Sequence, residues 1–210
     1  MSHFVQVMLV ALSAVFFVVD PFSVVPIFLA MTQGDSTAKI HKTALRASLV
    51  GGGLLLFFAF FGTFVFKVLG VTLGAFRVAG GILLLITALD MLRARTSETK
   101  STPGETEEGL HKEDIAIVPL AVPLLAGPGA IATVMVLMAK GGGIISTAIP
   151  VVISIVLTFT ASYFMLRGAT LVQRVLKGSG VAILQRVMGL VLAAIAVQFI
   201  AEGGRSLLKL

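Results

Sequence analysis

Six long stretches with few charged side chains dominate the sequence. They fall at residues 4–31, 47–66, 71–92, 115–139, 141–166 and 183–207. An α-helix needs about 20 consecutive apolar residues to cross the ~30 Å hydrocarbon core of a bilayer. The pattern therefore predicts an all-α integral membrane protein whose 210 residues form six transmembrane helices.

Composition and charge narrow the class of protein further. Apolar residues make up 57% of the chain and charged residues 12%, and the mean hydropathy is +1.06. The net charge is +6, but the bases lie between the apolar stretches rather than along one face, so no nucleic-acid partner is expected. The chain has no cysteine, which excludes disulfides and thiolate metal sites. We expect no cofactor and no metal, and the lipid bilayer as a partner.

The distribution of lysine and arginine predicts how the helices are oriented. Ten bases lie in the connections between spans one and two, three and four, and five and six, against four on the opposite side. An excess of bases stays on the cytoplasmic side. We therefore predict a plasma-membrane protein with both termini outside the cytoplasm. The ten bases are Lys39, Lys42, Arg46, Arg93, Arg95, Lys100, Lys112, Arg167, Arg174 and Lys177.

Residues 93–114 divide the chain into two similar halves. This stretch contains Pro103, Gly104, six acids and four bases, which is the composition of a flexible linker. We predict one three-helix unit over residues 1–92, a polar cytoplasmic linker over 93–114, and a second unit over 115–210. An odd number of spans in each unit makes the second unit enter the membrane from the other side, which gives an inverted repeat.

Two pairs of motifs support the repeat. Asp20-Pro21 in the first span matches Gly127-Pro128 in the fourth. Arg77, followed by Gly80, matches Arg186, followed by Gly189. The two pairs have nearly the same offset in sequence, as expected for one repeated unit. Chance similarity between apolar helices is the alternative explanation.

The first and fourth spans are predicted to be broken near the middle of the bilayer. Asp followed by Pro is a typical helix start, with Asp20 as the N-cap and Pro21 at the first helical position. We expect one helix up to Val19 and a second over residues 21–31, which also contains Pro26. Gly127-Pro128-Gly129 has the same arrangement, after Pro119 and Pro123.

Broken backbone inside a membrane must be buried in protein or face water. A helix start also favours anions, so one start can take a carboxylate while Asp20 takes an ammonium group. We therefore predict a site for a small zwitterion. Its candidate residues are Asp20, Pro21, Phe22, Ser23, Pro26, Gly127, Pro128, Gly129 and Ala130. Alternatively the prolines only kink the helices and Asp20 only caps, but a central Asp costs ~2.5 to 3.5 kcal/mol on insertion scales.

Arg77 and Arg186 are the second pair of candidate substrate-binding residues. Each lies a few residues inside its span. A guanidinium there can extend outward to the membrane surface, or it can turn inward toward Asp20 or a substrate carboxylate. Both interpretations remain open for both residues.

Three segments together resemble the MarC family of bacterial and archaeal membrane proteins. They are residues 20–28 (DPFSVVPIF), 76–81 (FRVAGG) and 119–131 (PLAVPLLAGPGAI). The resemblance covers essentially the whole chain and implies six spans in two inverted halves, and transport of neutral amino acids such as alanine and glycine. Members commonly have Pro-Leu-Gly after the residue that matches Asp20. Phe22 and Ser23 replace Leu-Gly here, which is expected to alter how closely a substrate approaches the second half-helix.

These observations together predict a secondary transporter that exports a small neutral amino acid by alternating access, coupled to a proton or sodium ion through Asp20. A channel for small solutes is the nearest alternative. An intramembrane enzyme would need paired catalytic groups, and the spans contain one central carboxylate, so no catalytic residue is predicted. A structural role would leave Asp20 without a purpose.

Overall fold

The computed structural model describes residues 3–93, 115–139 and 143–208, and all of its regular structure there is helical. The helices are α1 (His3–Val19), α2 (Pro21–Met31), α3 (Thr37–Leu69), α4 (Leu73–Leu92), α5 (Ala116–Leu125), α6 (Pro128–Ala139), α7 (Ile149–Arg167) and α8 (Ala169–Leu208). A short wide turn of helix, Ile144–Ala148, precedes α7. Apart from Arg93, the predicted linker lies outside the described residues, and its place in the fold stays a prediction.

The helices confirm a membrane-spanning all-α chain. Five helical stretches are long and apolar enough to cross a bilayer, and α5 with α6 makes a sixth if this bent pair counts as one span. Two helices begin well before the predicted spans, α3 at Thr37 rather than residue 47 and α8 at Ala169 rather than residue 183. The N-terminal parts of both helices carry basic residues that interrupt the apolar pattern but not the helix.

Large apolar side chains cover much of the outer surface. Phe57, Phe60, Phe61 and Phe64 on α3 are each at least half exposed. Contiguous apolar surface of this extent is rare on soluble monomers. The exposed phenylalanines are therefore suited to contact with lipid.

The first span is broken at Asp20, as predicted. Asp20 adopts a left-handed conformation (φ 48°, ψ 66°) between α1 and α2. This conformation is uncommon for residues other than glycine, and Asp is among those that tolerate it. Pro21 then begins α2, where its missing N–H is not needed by the helix.

The fourth span is broken more sharply. The axes of α5 and α6 differ by 57°, with Ala126 and Gly127 at the bend. In α5, Val118 and Val122 are extended, and each precedes a proline, a position that disfavours the helical conformation. The α5 helix is consequently wide, and the Ala126 amide donates to the Ala121 carbonyl, five residues back, at 2.9 Å.

The helices α4 and α8 pack closely through glycine. A Cβ atom on Gly81 would lie 2.9 Å from the Ala196 carbonyl oxygen and 3.1 Å from the Ile200 amide nitrogen. A Cβ atom on Gly189 would lie 3.0 Å from the Ala88 oxygen and 3.2 Å from the Leu92 nitrogen. Each helix therefore presents its glycine to the other helix's backbone.

These reciprocal contacts join equivalent positions of the two halves. Position 81 corresponds to 189, 88 to 196 and 92 to 200, always at the same offset in sequence. That offset also relates Gly51 of α3 to Phe159 of α7, which touch where those helices cross. Reciprocal contacts of this kind between antiparallel helices are the pattern that a two-fold axis would produce. The inverted repeat itself stays a prediction, and this offset matches Arg77 with Gln185 rather than with Arg186.

Candidate functional site

The candidate site is centred on the break in the first span. Among the described residues, Asp20 is the only buried ionisable side chain, at 1% exposure. Its Oδ1 atom accepts a hydrogen bond from the Ser23 amide at 3.4 Å, so the carboxylate caps α2. Its own amide donates to the Phe16 carbonyl at 3.0 Å, which completes the last turn of α1.

A chain of hydrogen bonds joins this carboxylate to α8. The Ser23 hydroxyl donates to Asp20 Oδ2, and Gln185 Nε2 donates to the Ser23 oxygen at 2.6 Å. Ser23 and Gln185 are 162 positions apart in sequence. The hydrogen bonding around the Asp20 carboxylate therefore depends on where α8 lies as well as on α2.

The second break lies close to the first. A Cβ atom on Gly129 would be 3.4 Å from Val18 Cγ2 and 3.8 Å from Thr87 Oγ1. Val18 comes two residues before Asp20, and Gly129 comes two residues after Gly127. The end of α1 and the start of α6 thus meet inside the protein, beside the second half of α4.

The start of α6 offers polar backbone to this meeting point. Gly127, Gly129 and Ala130 are buried and have no bulky side chains. The first amides of a helix have no carbonyl partners within that helix, and the helix dipole adds positive potential there. This end of α6 can therefore receive an anionic group.

The prolines of the two breaks and Phe22 differ in how far they are buried. Pro21 is buried and Phe22 is half-buried, with its ring edge-on to that of Phe16 at 6.1 Å between centroids. Pro26 and Pro128 are exposed. These two prolines shape the backbone of their half-helices, and their rings are not enclosed by neighbouring helices.

The two arginines differ from each other. Arg77 is half-buried on α4 and packs against Gly203 of α8, and its Nε atom is buried without a hydrogen-bond partner. Arg186 is exposed. Its neighbour Gln185 makes the contact with Ser23 instead.

The sequence interpretation missed Gln185, which is uncharged and lies just inside an apolar span. The signal that could have found it is its offset in sequence from Arg77, which equals the offset from Gly81 to Gly189. Within residues 3–93, 115–139 and 143–208, no cluster of three or more His, Cys, Asp or Glu side chains could hold a metal ion.

The chain is similar in sequence to known membrane proteins. Residues 4–208 match the family model described as MarC family integral membrane protein. A UPF0056 membrane protein of Methanocaldococcus jannaschii is 39% identical over 97% of this chain and 98% of its own. One of Aquifex aeolicus is 36% identical over 91% and 89% of the two chains, and YhcE of Escherichia coli is 34% identical over 90% and 87%.

No solved structure matches the chain significantly. The family match extends from the start of α1 to the end of α8, and the three relatives are similar over nearly their whole lengths. Relatives of this kind occur in both bacteria and archaea. The chain therefore belongs to the MarC family of integral membrane proteins.

Proposed function

We propose that the protein is a secondary transporter that exports small neutral amino acids, such as alanine and glycine, by alternating access. The observation that carries this proposal is the meeting of two broken helices beside a buried carboxylate. Gly129 of one break lies against Val18 of the other, and Asp20 is 1% exposed. A buried charge without a use would be costly in a membrane helix.

The two breaks suit the two charges of a zwitterion. The Asp20 carboxylate and the Ser23 hydroxyl can accept hydrogen bonds from a substrate ammonium group. The start of α6, at Gly127 and Gly129, can donate amide hydrogen bonds to the substrate carboxylate. Because these positions carry no side chain, a substrate can approach the backbone closely.

The hydrogen-bond chain suggests how binding could be linked to movement. Ser23 donates to Asp20 and accepts from Gln185. A substrate ammonium group or a coupling ion at Asp20 competes with the Ser23 hydroxyl for the same oxygen atoms. We propose that this competition loosens the link between α2 and α8, and that the coupling ion is a proton or sodium.

Flux measurements in proteoliposomes test the proposal. The purified protein should move labelled alanine or glycine faster than empty vesicles do, and an imposed proton or sodium gradient should change the rate. If no substrate flux exceeds that of empty vesicles under any imposed gradient, the transporter proposal is wrong.

A channel for small solutes could also be built from two broken helices. Counterflow separates the two functions, because substrate on the far side accelerates exchange through a carrier but not through an open pore. We expect unlabelled alanine inside the vesicles to raise the initial uptake of labelled alanine. An uptake rate that does not respond would assign the protein to the channel class.

A further inference from the structure

A groove of about 490 Å³ lies between α3 and α7, and none of the candidate site residues lines it. It opens on the outer surface, where its rim residues Leu49 and Phe164 are 64% and 60% exposed. The groove is almost entirely apolar. Its walls include Leu45, Ser48 and Gly53 from α3 and Val156, Thr160 and Tyr163 from α7.

Ser48 places a buried hydroxyl without a hydrogen-bond partner in the wall of this groove. The residue is 4% exposed. Other buried serines of the chain bond to the carbonyl four residues back, as Ser154 does to Pro150 at 2.7 Å and Ser162 to Thr158 at 2.8 Å. A buried hydroxyl left unpaired costs free energy, so an acceptor from a ligand would satisfy it.

Basic side chains flank one end of the groove. Lys42 and Arg46 are exposed on α3 just before Ser48. Arg167 ends α7, donates to the Tyr163 hydroxyl at 3.3 Å, and lies 6.0 Å from the centroid of that ring. Since the second and fifth spans are predicted to run in opposite directions, these three bases share the end that faces the cytoplasm.

We propose that this groove binds one anionic phospholipid of the phosphatidylglycerol type. One acyl chain lies along the apolar walls, and an ester carbonyl accepts a hydrogen bond from the Ser48 hydroxyl. The phosphate is held by Lys42, Arg46 and Arg167, since basic sites between helices on the cytoplasmic side favour anionic headgroups. The site is independent of the transport proposal and does not involve Asp20.

Native mass spectrometry of the detergent-solubilised protein tests the headgroup preference. Phosphatidylglycerol and phosphatidylcholine with identical acyl chains are added in equal amounts. We expect phosphatidylglycerol to be retained preferentially, and the Arg46→Gln, Arg167→Gln double variant to lose roughly tenfold in that preference. Arg205→Gln, at an exposed base near the end of α8, is the control and should keep it.

A second pair of variants tests the groove itself. A Cβ atom on Gly53 or on Gly204 would meet no atom within 4 Å, so a larger side chain fits at both. Gly53 lines the groove and Gly204 does not. We expect Gly53→Leu to reduce retention of both lipids severalfold and Gly204→Leu to leave it unchanged, with both variants folded.

Several results would overturn the proposal. Equal retention of the two lipids by the unmodified chain would remove the basis for an anionic ligand. Full retention by Gly53→Leu would place the lipid elsewhere. A dimer that Gly53→Leu dissociates, without any change in bound lipid, would assign the groove to a second copy of the chain.

Discussion

The Asp20 carboxylate makes two contacts with Ser23. It accepts a hydrogen bond from the Ser23 amide, which caps α2, and another from the Ser23 hydroxyl. The Ser23 oxygen in turn accepts a hydrogen bond from Gln185 of α8. Ser23 stands where the resemblance to the family leads one to expect glycine. This position therefore adds a hydroxyl to the site as well as reducing the space beside the half-helix.

Changing Asp20 separates the capping role from the proposed coupling role. Asn is as good an N-cap as Asp, whereas Ala loses about 0.5 to 2 kcal/mol of capping energy. We expect Asp20→Asn to keep the thermal stability but to lose the response of alanine flux to ion gradients, and Asp20→Ala to lose both. Flux that keeps its gradient dependence in both variants would reduce Asp20 to a cap.

Gln185 should contribute measurably to stability although it is only a neutral amide. Gln185→Ala removes the hydrogen bond from α8 to Ser23, a loss of about 1 kcal/mol. In a chain of this size that corresponds to a fall of about 2 to 4 °C in Tm. Thermal unfolding of the variant and the unmodified chain in detergent measures this difference in Tm.

Gln198→Ala is the matched control for Gln185→Ala. Gln198 is exposed on the same helix and donates to Glu202, four residues on, at 3.0 Å. Such exposed pairs within one helix contribute about 0.2 to 0.5 kcal/mol. Equal losses of stability in the two variants would mean that the link to Ser23 contributes no more than a surface contact.

At the scale of helices, the breaks could be predicted because their causes are local. A proline constrains its own backbone and that of the preceding residue, so Asp20-Pro21 and Gly127-Pro128 indicate half-helix starts without any knowledge of the fold. The extended residues Val118 and Val122 follow from the same rule. The 57° bend could not be predicted from local sequence, because it depends on how α5 and α6 pack against α3.

The sequence alone did not show which residues of the two halves correspond to each other. The repeated Arg-x-x-Gly pattern pairs Arg77 with Arg186, whereas the contacts of Gly81 and Gly189 give an offset that is shorter by a single position. A shift of one residue turns a helix position by about 100°. That shift explains why Gln185, rather than Arg186, reaches the first break.

The two glycines should be equally intolerant of side chains. A Cβ atom on Gly81 or Gly189 would meet backbone atoms of the opposite helix at about 3 Å. We expect Gly81→Ala and Gly189→Ala each to lower the free energy of unfolding by about 1 to 3 kcal/mol. Gly53→Ala, where a Cβ atom meets nothing within 4 Å, is the control.

Chemical or thermal unfolding in detergent compares these three variants. If Gly81→Ala and Gly189→Ala have the same free energy of unfolding as Gly53→Ala, the close approach of α4 and α8 contributes nothing to stability. A large loss in only one of them would argue against a two-fold relation between the halves.

At the scale of the entire chain, the sequence predicted an all-helical membrane protein, because apolar length is the main requirement of a bilayer. The structure has five candidate spans, or the predicted six if α5 and α6 count as one. The sequence did not predict which helices pack together. Orientation follows from the charge count alone and stays a prediction, since the direction of insertion depends on charges that flank the spans rather than on packing.

Labelling of single cysteines tests the orientation directly. The unmodified chain has no cysteine, so it serves as the control without further change. Gln33 and Val71 are exposed in the connections after α2 and after α3. A membrane-impermeant maleimide should label Val71→Cys in intact cells and Gln33→Cys only after the cells are permeabilised. The reverse pattern would place the termini in the cytoplasm.

The close approach of Gly81 and Gly189 also limits how the molecule can change shape. Each glycine fits against the opposite backbone at an equivalent place in its own half, so neither α4 nor α8 can slide along the other without a collision. We therefore expect α4 and α8 to keep their relative position and to move as one rigid unit. In the proposed transport cycle, the motion that exposes Asp20 to one side or the other then has to come from the remaining helices.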